Sequence, residues 1–249
     1  MARTWEPLLP CSDCGEMVKQ LNRRMPQIFQ SLAVVTTRVI SATPDASPET
    51  TTVDGYASTW TNTGTSWGDI RTGAGNQAVD NATVLFVEIK CDDAVDKWGN
   101  CARTITGFDL SDIPSDATIT SVELELNARV TAANDDFTEG ALVLIEATLA
   151  SNTAVAAGDF DNFGTVELAT RILTTTWRER GQNVFYLNES GLELVQSKVG
   201  GVLNLGFKIG RDFDNDEPTW ASGGKQNFTF NASEGTSYKP ATLIVTYQE

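Results

Sequence analysis

A run of alternating apolar and polar residues between Ile119 and Val130 constrains the fold of this chain more than any other feature. Apolar side chains recur at every second position, and charged or amide side chains stand between them. The apolar set is Val122, Leu124, Leu126, Ala128 and Val130, and the polar set is Glu123, Glu125, Asn127 and Arg129. Because only a period of two separates these sets onto opposite faces, the run predicts a half-buried β-strand.

Other short strand-like segments, separated by turn residues, fill most of the chain. They are 53–58, 83–90, 102–109, 118–130, 141–149, 165–173, 183–187, 201–210, 226–231 and 240–248. One short helix is expected from Ser190 to Val199, before two consecutive glycines. Many short strands with turns between them are typical of two packed sheets. We expect an all-β, two-sheet antiparallel jelly-roll sandwich with a short N-terminal helical extension.

Several segments carry a recognisable set of motifs in order. Phe108–Leu126 reads Phe-Asp-Leu-Ser-Asp-Ile-Pro-Ser-Asp-Ala-Thr-Ile-Thr-Ser-Val-Glu-Leu-Glu-Leu. The others are Asp54-Gly-Tyr, Gly68–Gly73, Asn183–Leu192 and Ser233–Tyr247. Together they resemble the DNRLRE-type jelly-roll modules, which are related to carbohydrate-binding modules. The resemblance extends from Val53 to Tyr247 and implies a jelly-roll fold.

The N-terminal segment lies outside this resemblance and carries a helical pattern. Asp13 and Glu16 have the spacing of a capping box, which marks a helix start. Spacings of three and four residues then define an apolar seam formed by Val18, Leu21, Met25, Ile28 and Leu32. Because Pro26 interrupts this seam, two short helices are expected rather than one. The pair either packs on its own β-domain or, as we favour, mediates attachment and self-association.

The composition of the next segment suggests a division into three parts. Residues 41–52 are poor in apolar side chains and rich in Pro, Ser and Thr, which is typical of an extended linker. We therefore predict an N-terminal helical anchor at 1–40, a linker at 41–52 and a jelly-roll domain at 53–249.

Charge is distributed unevenly between these parts. The whole chain has a net charge of −15. Residues 1–40 carry five basic and three acidic side chains, a net charge of +2, which leaves −17 on residues 41–249. An acidic surface repels nucleic acid and anionic lipid. We expect neither nucleic acid nor membrane as a partner. The sequence contains no run of about 18 apolar residues, so it predicts no membrane-spanning helix.

The sequence contains no histidine. Its absence excludes Ser-His-Asp and Cys-His catalysis and every His-ligated metal site. Paired carboxylates remain, but among 33 acidic residues such pairs arise anywhere and do not indicate glycoside hydrolysis. We therefore expect a protein that is not an enzyme.

The four cysteines form two pairs of different spacing. Cys11 and Cys14 have the two-residue spacing of half a zinc site, whereas nine residues separate Cys91 from Cys101. Free thiols or a bridge between Cys91 and Cys101 are the favoured interpretations. Zinc at Cys11 and Cys14 is the alternative.

Three carboxylates stand at alternate positions in an acidic segment, Asp212, Asp214 and Asp216. Crowded carboxylates repel one another unless a hard cation neutralises them, and Ca²⁺ accepts six to eight oxygen ligands. The segment therefore predicts either a solvated acidic loop or a calcium site. The glycine and distal glutamate of an EF-hand loop are missing.

Four tryptophans fall in segments rich in Gly, Ser, Thr and Asn. They are Trp60, Trp67, Trp98 and Trp220. An indole face stacks on a sugar ring, and neighbouring amides and carboxylates bind its hydroxyl groups. These residues are candidate glycan contacts, although tryptophans also cap the open ends of jelly rolls.

These features favour a structural virion protein of the head-decoration, head-fibre or tail-fibre type. Its N-terminus shows no secretory pattern, which suits a bacteriophage protein made in the host cytoplasm and displayed on the virion surface. We expect attachment to other virion proteins, a homo-oligomer with a trimer favoured, and adhesion to surface polysaccharide. The alternatives are an extracellular carbohydrate-binding module and a matrix or adhesion domain.

Overall fold

The computed structural model describes residues 36–129, 133–135, 137, 140–236 and 238–249. In this part of the chain, three short α-helices and one 3-10 helix connect antiparallel strands. The strands are β1 (Thr37–Ala42), β2 (Asp54–Thr65), β3 (Gln77–Val79), β4 (Val84–Cys91), β5 (Trp98–Asp109), β6 (Thr118–Asn127), β7 (Ala133–Asp135), β8 (Ala141–Glu146), β9 (Ile172–Leu173), β10 (Gln182–Tyr186), β11 (Val202–Ile209), β12 (Lys225–Asn231) and β13 (Thr242–Gln248). The helices are α1 (Trp67–Thr72), α2 (Glu189–Ser197) and α3 (Gly210–Asp214), and the 3-10 helix spans Ala157–Asp161.

The strands form two antiparallel sheets. The smaller sheet has the order β1-β13-β6-β10, and the larger one runs β7-β12-β4-β5-β11-β8-β9. Strand β2 pairs with β3 and with β5. Strand β2 pairs with residues 98–106 along one edge of β5. The other edge of β5 is divided between two strands, since β4 pairs with residues 98–102 and β11 with residues 104–109.

Eight of these strands pair in the nested order of a jelly roll. In chain order they are β1, β5, β6, β8, β9, β10, β11 and β13. The first pairs with the last, the second with the seventh, the third with the sixth and the fourth with the fifth. This nesting results when one long antiparallel hairpin rolls up into two sheets. The predicted all-β, two-sheet antiparallel sandwich is confirmed.

The alternation that predicted β6 matches its burial. Val122, Leu124 and Leu126 are buried, whereas Glu123 and Glu125 are half-buried on the other face. Ile119 is also buried, although it is three residues before Val122, because the register to β13 shifts at Tyr247. This β-bulge leaves one extra residue on β6 and restores the inward direction of Ile119. Val130 lies outside the described residues.

Aromatic side chains join the two sheets across the core. Phe185 of β10 lies with its ring centroid 6.2 Å from that of Phe207 on β11. Phe207 in turn contacts Phe230 of β12 at 5.2 Å. All three side chains are buried, so their large apolar surfaces stabilise the contact between the sheets.

Every residue of β5 except the last is buried, which shows that both faces of this strand are covered. Phe207 pairs with Thr104, so Thr104, Thr106 and Phe108 face the other sheet. Trp98 lies before a β-bulge and instead stacks on Trp67 of α1. Arg103 and the other odd-numbered residues face outward by the alternation of a strand. There they meet a second layer formed by α1, the 3-10 helix and α3.

The domain begins earlier in the chain than the sequence suggested. Residues 37–42, assigned to the anchor and the start of the linker, form β1 and pair with β13 from Thr37 opposite Gln248 to Ala42 opposite Leu243. Residues 43–52 are ordered by the Asp45 carboxylate, which accepts hydrogen bonds from the backbone N–H groups of Thr50, Thr51 and Thr52. The Ser47 backbone N–H, which donates to Glu234 at 3.1 Å, ties them to the domain. The compact unit is therefore 37–249 rather than 53–249.

Most of the predicted strands and the predicted short helix are present in the structure. Nine of the ten predicted strand segments contain a strand of more than three residues, and 165–173 contains only the two-residue β9. The helix expected at Ser190–Val199 is α2, capped by the Asn188 side chain, which accepts a hydrogen bond from Gly191 N–H. The anchor seam at Val18, Leu21, Met25, Ile28 and Leu32 lies outside the described residues. Among the described helices, none has the length and apolar character to cross a bilayer.

Substituting Leu124 with aspartate should unfold the sandwich. Leu124 is fully buried between Leu243 and Phe185 on the neighbouring strands, and an unpaired carboxylate there costs several kcal/mol. Ser121→Asp adds the same charge to an exposed position of β6 and should leave stability within about 1 kcal/mol. Urea unfolding followed by tryptophan fluorescence compares the two. Equal stability of Leu124→Asp and the parent would contradict the register of β6.

Candidate functional site

The three aspartates predicted to bind calcium each pair with a different arginine. Asp212 binds Arg103, with Nε to Oδ2 at 2.7 Å and Nη2 to Oδ1 at 2.8 Å. Asp214 binds Arg171 through two contacts of 2.5 and 2.7 Å. Asp216 binds Arg211 at 2.5 Å.

Helical geometry explains why these carboxylates diverge. The prediction treated 212–216 as a loop, but residues 210–214 form α3. Residues two apart on a helix do not face each other. In the described part of the chain no three His, Cys, Asp or Glu residues are arranged to hold a metal ion. The predicted calcium site at Asp212, Asp214 and Asp216 is therefore wrong, because arginines already neutralise the charges that were expected to require a cation.

The Arg103–Asp212 pair is almost completely buried. The relative exposure of the side chains is 4% for Arg103 and 1% for Asp212. Arg103 also donates to the carbonyl oxygens of Phe160 at 2.6 Å and Arg71 at 2.8 Å, and its guanidinium lies 3.9 Å from the centroid of the Phe160 ring. Arg71 donates to Asp212 from the other side at 3.2 Å. The pair therefore joins β5, α1, the 3-10 helix and α3.

The cysteine pair on β4 and β5 is buried beside this layer. Cys91 and Cys101 are 2% and 1% exposed, and no disulfide joins them. Burial, together with the charge of Asp212, raises the pKa of Cys101 far above its usual value. A thiol in this state is a poor nucleophile and a poor metal ligand. Cys11 and Cys14 lie outside the described residues.

Two of the four candidate glycan contacts are core residues. Trp98 is fully buried and Trp67 is 6% exposed, with their ring centroids 4.8 Å apart. The Trp98 indole N–H donates to the Glu217 carboxylate at 3.1 Å. Neither ring presents a face to solvent, so their assignment as glycan contacts is wrong. Their Gly-, Ser- and Asn-containing neighbourhoods predict loops, whereas Trp67 begins α1 and Trp98 begins β5.

The other two tryptophans differ from this pair and from each other. Trp220 is half-buried, and its indole N–H lies 3.2 Å from the carbonyl oxygen of Asp92 and 3.1 Å from that of Lys97. Trp60 is 42% exposed. It stands at the point where the pairing of β2 with β5 is interrupted, and Asn76 binds its backbone N–H and carbonyl at 3.0 and 2.7 Å.

Trp60 lines an open pocket of about 180 Å³. The polar residues around it are Thr61, Asn62, Lys90, Asp92 and Asp93. Asp92 is positioned by its own backbone N–H, which donates to the Lys97 carbonyl oxygen at 2.9 Å, and by its side chain, which accepts from Ala94 N–H at 3.0 Å. One aromatic face beside hydroxyl, amide, ammonium and carboxylate groups is the set that binds a polyhydroxylated ring. A pocket of this size holds a single ring.

A larger pocket has a different character. It measures about 410 Å³ and is lined by Val166, Leu168 and Leu194, with Glu146 and Glu193 at its margin. Glu146 already pairs with Lys198 at 3.1 Å. The residues that line it include no aromatic ring, so it lacks the stacking surface found at Trp60.

No family model and no curated protein matches this chain. The fold assigns it to the class of two-sheet β-sandwiches with jelly-roll strand order. Its resemblance to DNRLRE-type modules stays a prediction from sequence motifs.

Asp212→Asn should destabilise the domain by about 3–5 kcal/mol, because the buried Arg103 guanidinium then keeps only Asp161, which is 3.7 Å away and 49% exposed, as a counter-charge. Asp214→Asn makes the same chemical change at a side chain that is 44% exposed and should cost about 1 kcal/mol or less. Denaturant unfolding of both variants measures the difference. Similar losses for the two variants would show that burial of the Asp212 pair is not the deciding factor.

Proposed function

We propose that this protein is a non-enzymatic structural component of a virion, of the head-decoration, head-fibre or tail-fibre type. Its N-terminal segment attaches to other virion proteins and associates with further copies, with a trimer favoured. The β-sandwich is displayed outward on the virion surface, where the Trp60 pocket binds a surface polysaccharide.

The charge distribution and the anchor seam support attachment through the N-terminus. The net charge is +2 on residues 1–40 and −17 on residues 41–249. An acidic domain stays soluble at the high local density of a particle surface and avoids nucleic acid. The seam at Leu21 and Ile28 is an apolar stripe of the kind that self-associates.

The observation that carries the glycan part of the proposal is the exposed Trp60 ring beside a polar pocket. The C–H groups of a sugar ring stack on an exposed aromatic face, and Trp60 has polar side chains beside it. Asn62, Asp92 and Asp93 supply acceptors and donors for its hydroxyl groups. This geometry suits recognition without bond cleavage.

The same pocket favours a second candidate, a carbohydrate-binding module of an extracellular polysaccharide-active or adhesion protein. The two differ in how the protein is found in its native setting. A virion component remains with purified particles and has the symmetry of the particle. A binding module is secreted and stays attached to a catalytic or adhesive partner chain.

Trp60→Ala should abolish binding to polysaccharide. The full-length protein is run by affinity electrophoresis through gels containing xylan, galactan, mannan or dextran, and its retardation measures binding. Loss of the stacking face should weaken the retarding interaction by about tenfold or more. Tyr238→Ala removes another exposed aromatic ring, away from the pocket, and should leave retardation unchanged. Unchanged retardation of Trp60→Ala, or none of the parent in any gel, would refute the glycan assignment.

Leu21→Glu combined with Ile28→Glu should convert the oligomer to a monomer, because charged side chains within the seam oppose its burial. Gln20→Glu with Gln27→Glu adds the same charge outside the seam and should preserve the oligomer. Analytical ultracentrifugation measures the mass, and the melting temperature of the sandwich should be the same in both variants. A parent protein that is already monomeric, or an oligomer that survives the seam substitutions, would refute self-association through this segment.

A further inference from the structure

A cluster of acidic groups holds residues 43–52 against the sandwich. We call it the carboxyl cluster, and it consists of Asp54 at the start of β2, Glu49 within the segment and Glu234 in the turn after β12. The Ser47 backbone N–H donates to Glu234 Oε1 at 3.1 Å, so the segment is tied to that turn. The function of the cluster does not depend on the Trp60 pocket.

Asp54 is the most deeply buried acidic group of the cluster, with 1% exposure. Its carboxylate accepts from Ser233 N–H at 2.9 Å and lies 2.7 Å from the Ser233 hydroxyl. The residue opposite on β5 is Thr106, which carries no charge. No arginine or lysine among the described residues forms an ion pair with Asp54, Glu49 or Glu234.

The hydrogen bonds of the Ser233 hydroxyl depend on whether the Asp54 carboxyl is protonated. Three acceptors surround its Oγ: the Asp54 carboxyl at 2.7 Å, the carbonyl oxygen of Asp45 at 2.7 Å and the Glu234 carboxyl at 3.2 Å. A hydroxyl group donates only one hydrogen bond but also accepts. If Asp54 is protonated, it donates to Ser233 Oγ, and the hydroxyl proton is free to bind the Asp45 carbonyl oxygen. A continuous chain of hydrogen bonds then joins β2, the turn and the segment.

Two further oxygens are buried without any hydrogen-bond partner among the described residues. They are Glu49 Oε1 and Glu234 Oε2. Buried acceptors without partners are costly, and three negative charges this close repel one another. The described carboxylates do not converge in an arrangement that holds a metal ion. Protons are therefore the ligands that relieve this repulsion.

We propose that Asp54 is a proton-operated latch, which closes residues 43–52 onto the sandwich when its carboxyl is protonated and loosens them when it ionises.

The pKa of Asp54 is shifted in the direction that the latch requires, because the folded protein favours the protonated carboxyl. Burial raises the pKa of Asp54 from 3.8 to about 7, and the charges of Glu234 and Glu49 add to it, while the hydrogen bonds from Ser233 oppose the change. The fourth acid nearby, Asp45, behaves differently. Burial acts to raise its pKa, but hydrogen bonds from Thr51, Thr52 and Thr50 outweigh it, so the pKa of Asp45 is lowered and it stays ionised.

The pKa of Asp54 is raised in the folded state, so its contribution to stability is complete below pH 4 and is lost as the pH rises to about 7. The folding equilibrium of the parent, relative to Asp54→Asn, should fall about tenfold per pH unit within this window and level off above it. The amide introduced by Asp54→Asn keeps the shape of the side chain and donates to Ser233 at every pH.

Two measurements on the full chain test the latch. Carbon-13 NMR of the Asp54 carboxyl follows its ionisation, and hydrogen exchange, corrected for the intrinsic rate, follows the Ser47 and Ser233 amides between pH 6 and 8. The parent should lose protection at the Ser47 amide as Asp54 ionises, whereas Asp54→Asn should not. The Ser233 amide donates to the Asp54 carboxyl itself and should stay protected in both proteins. Asp116→Asn, an exposed control, should behave like the parent.

Either of two results overturns the proposal. One is titration of the Asp54 carboxyl near pH 4, as for an exposed aspartate. The other is constant protection of Ser47 while Asp54 ionises, since the cluster would then hold the segment in both charge states.

Discussion

The buried pair of Arg103 and Asp212 is the interaction on which the outer layer of the sandwich depends. Its two charges lie on the outward face of β5, where water is excluded by α1, the 3-10 helix and α3. A buried guanidinium without its carboxylate costs several kcal/mol, so the elements that supply its partners must adopt one arrangement. Apolar packing alone would permit several such arrangements, whereas the directional hydrogen bonds of Arg103 select one.

This arrangement also determines which residues remain for binding. Because α1 packs on β5, Trp67 and Trp98 stack on each other within the core. Because α3 is held by Asp212, the neighbouring carboxylates point to separate arginines and leave no cation site among them. Trp60 stands beyond this layer, where β2 separates from β5, and its ring stays exposed. The proposed glycan pocket thus lies at the edge of the outer layer that the Arg103–Asp212 pair organises.

The sequence predicted the parts of the fold that follow from local periodicity. The alternation around Leu124 identified β6, and turn residues separated the other long strands. Strand β1 was missed because an edge strand that is largely exposed on both faces carries no alternation, and its neighbours resembled a linker in composition. A hydrogen bond from the Ser47 backbone N–H to Glu234, which composition does not reveal, holds that supposed linker on the domain.

The candidate site was less predictable, since it depends on contacts between residues far apart in sequence. More than 100 residues separate Arg103 from Asp212, and the only local sign is a single arginine within a continuously buried strand. Burial of Trp98 likewise follows from contacts with α1 and Phe137, not from its Gly- and Asn-containing neighbourhood. Trp60 is the most exposed of the four candidate tryptophans, but its polar neighbours Asp92 and Asp93 come from another loop, which the sequence does not reveal.

A double-mutant cycle at Arg103 and Asp212 tests the central claim most directly. Arg103→Met, Asp212→Leu and the combined variant are unfolded in urea and compared with the parent. If the pair organises the layer, each single variant leaves one buried charge with a single remaining partner, Arg71 for Asp212 or the half-exposed Asp161 for Arg103. The double variant should then lose less stability than the sum of the two single losses, with a coupling energy of about 2 kcal/mol or more. Additive losses, with the double variant the least stable, would contradict the dependence of the structure on this pair.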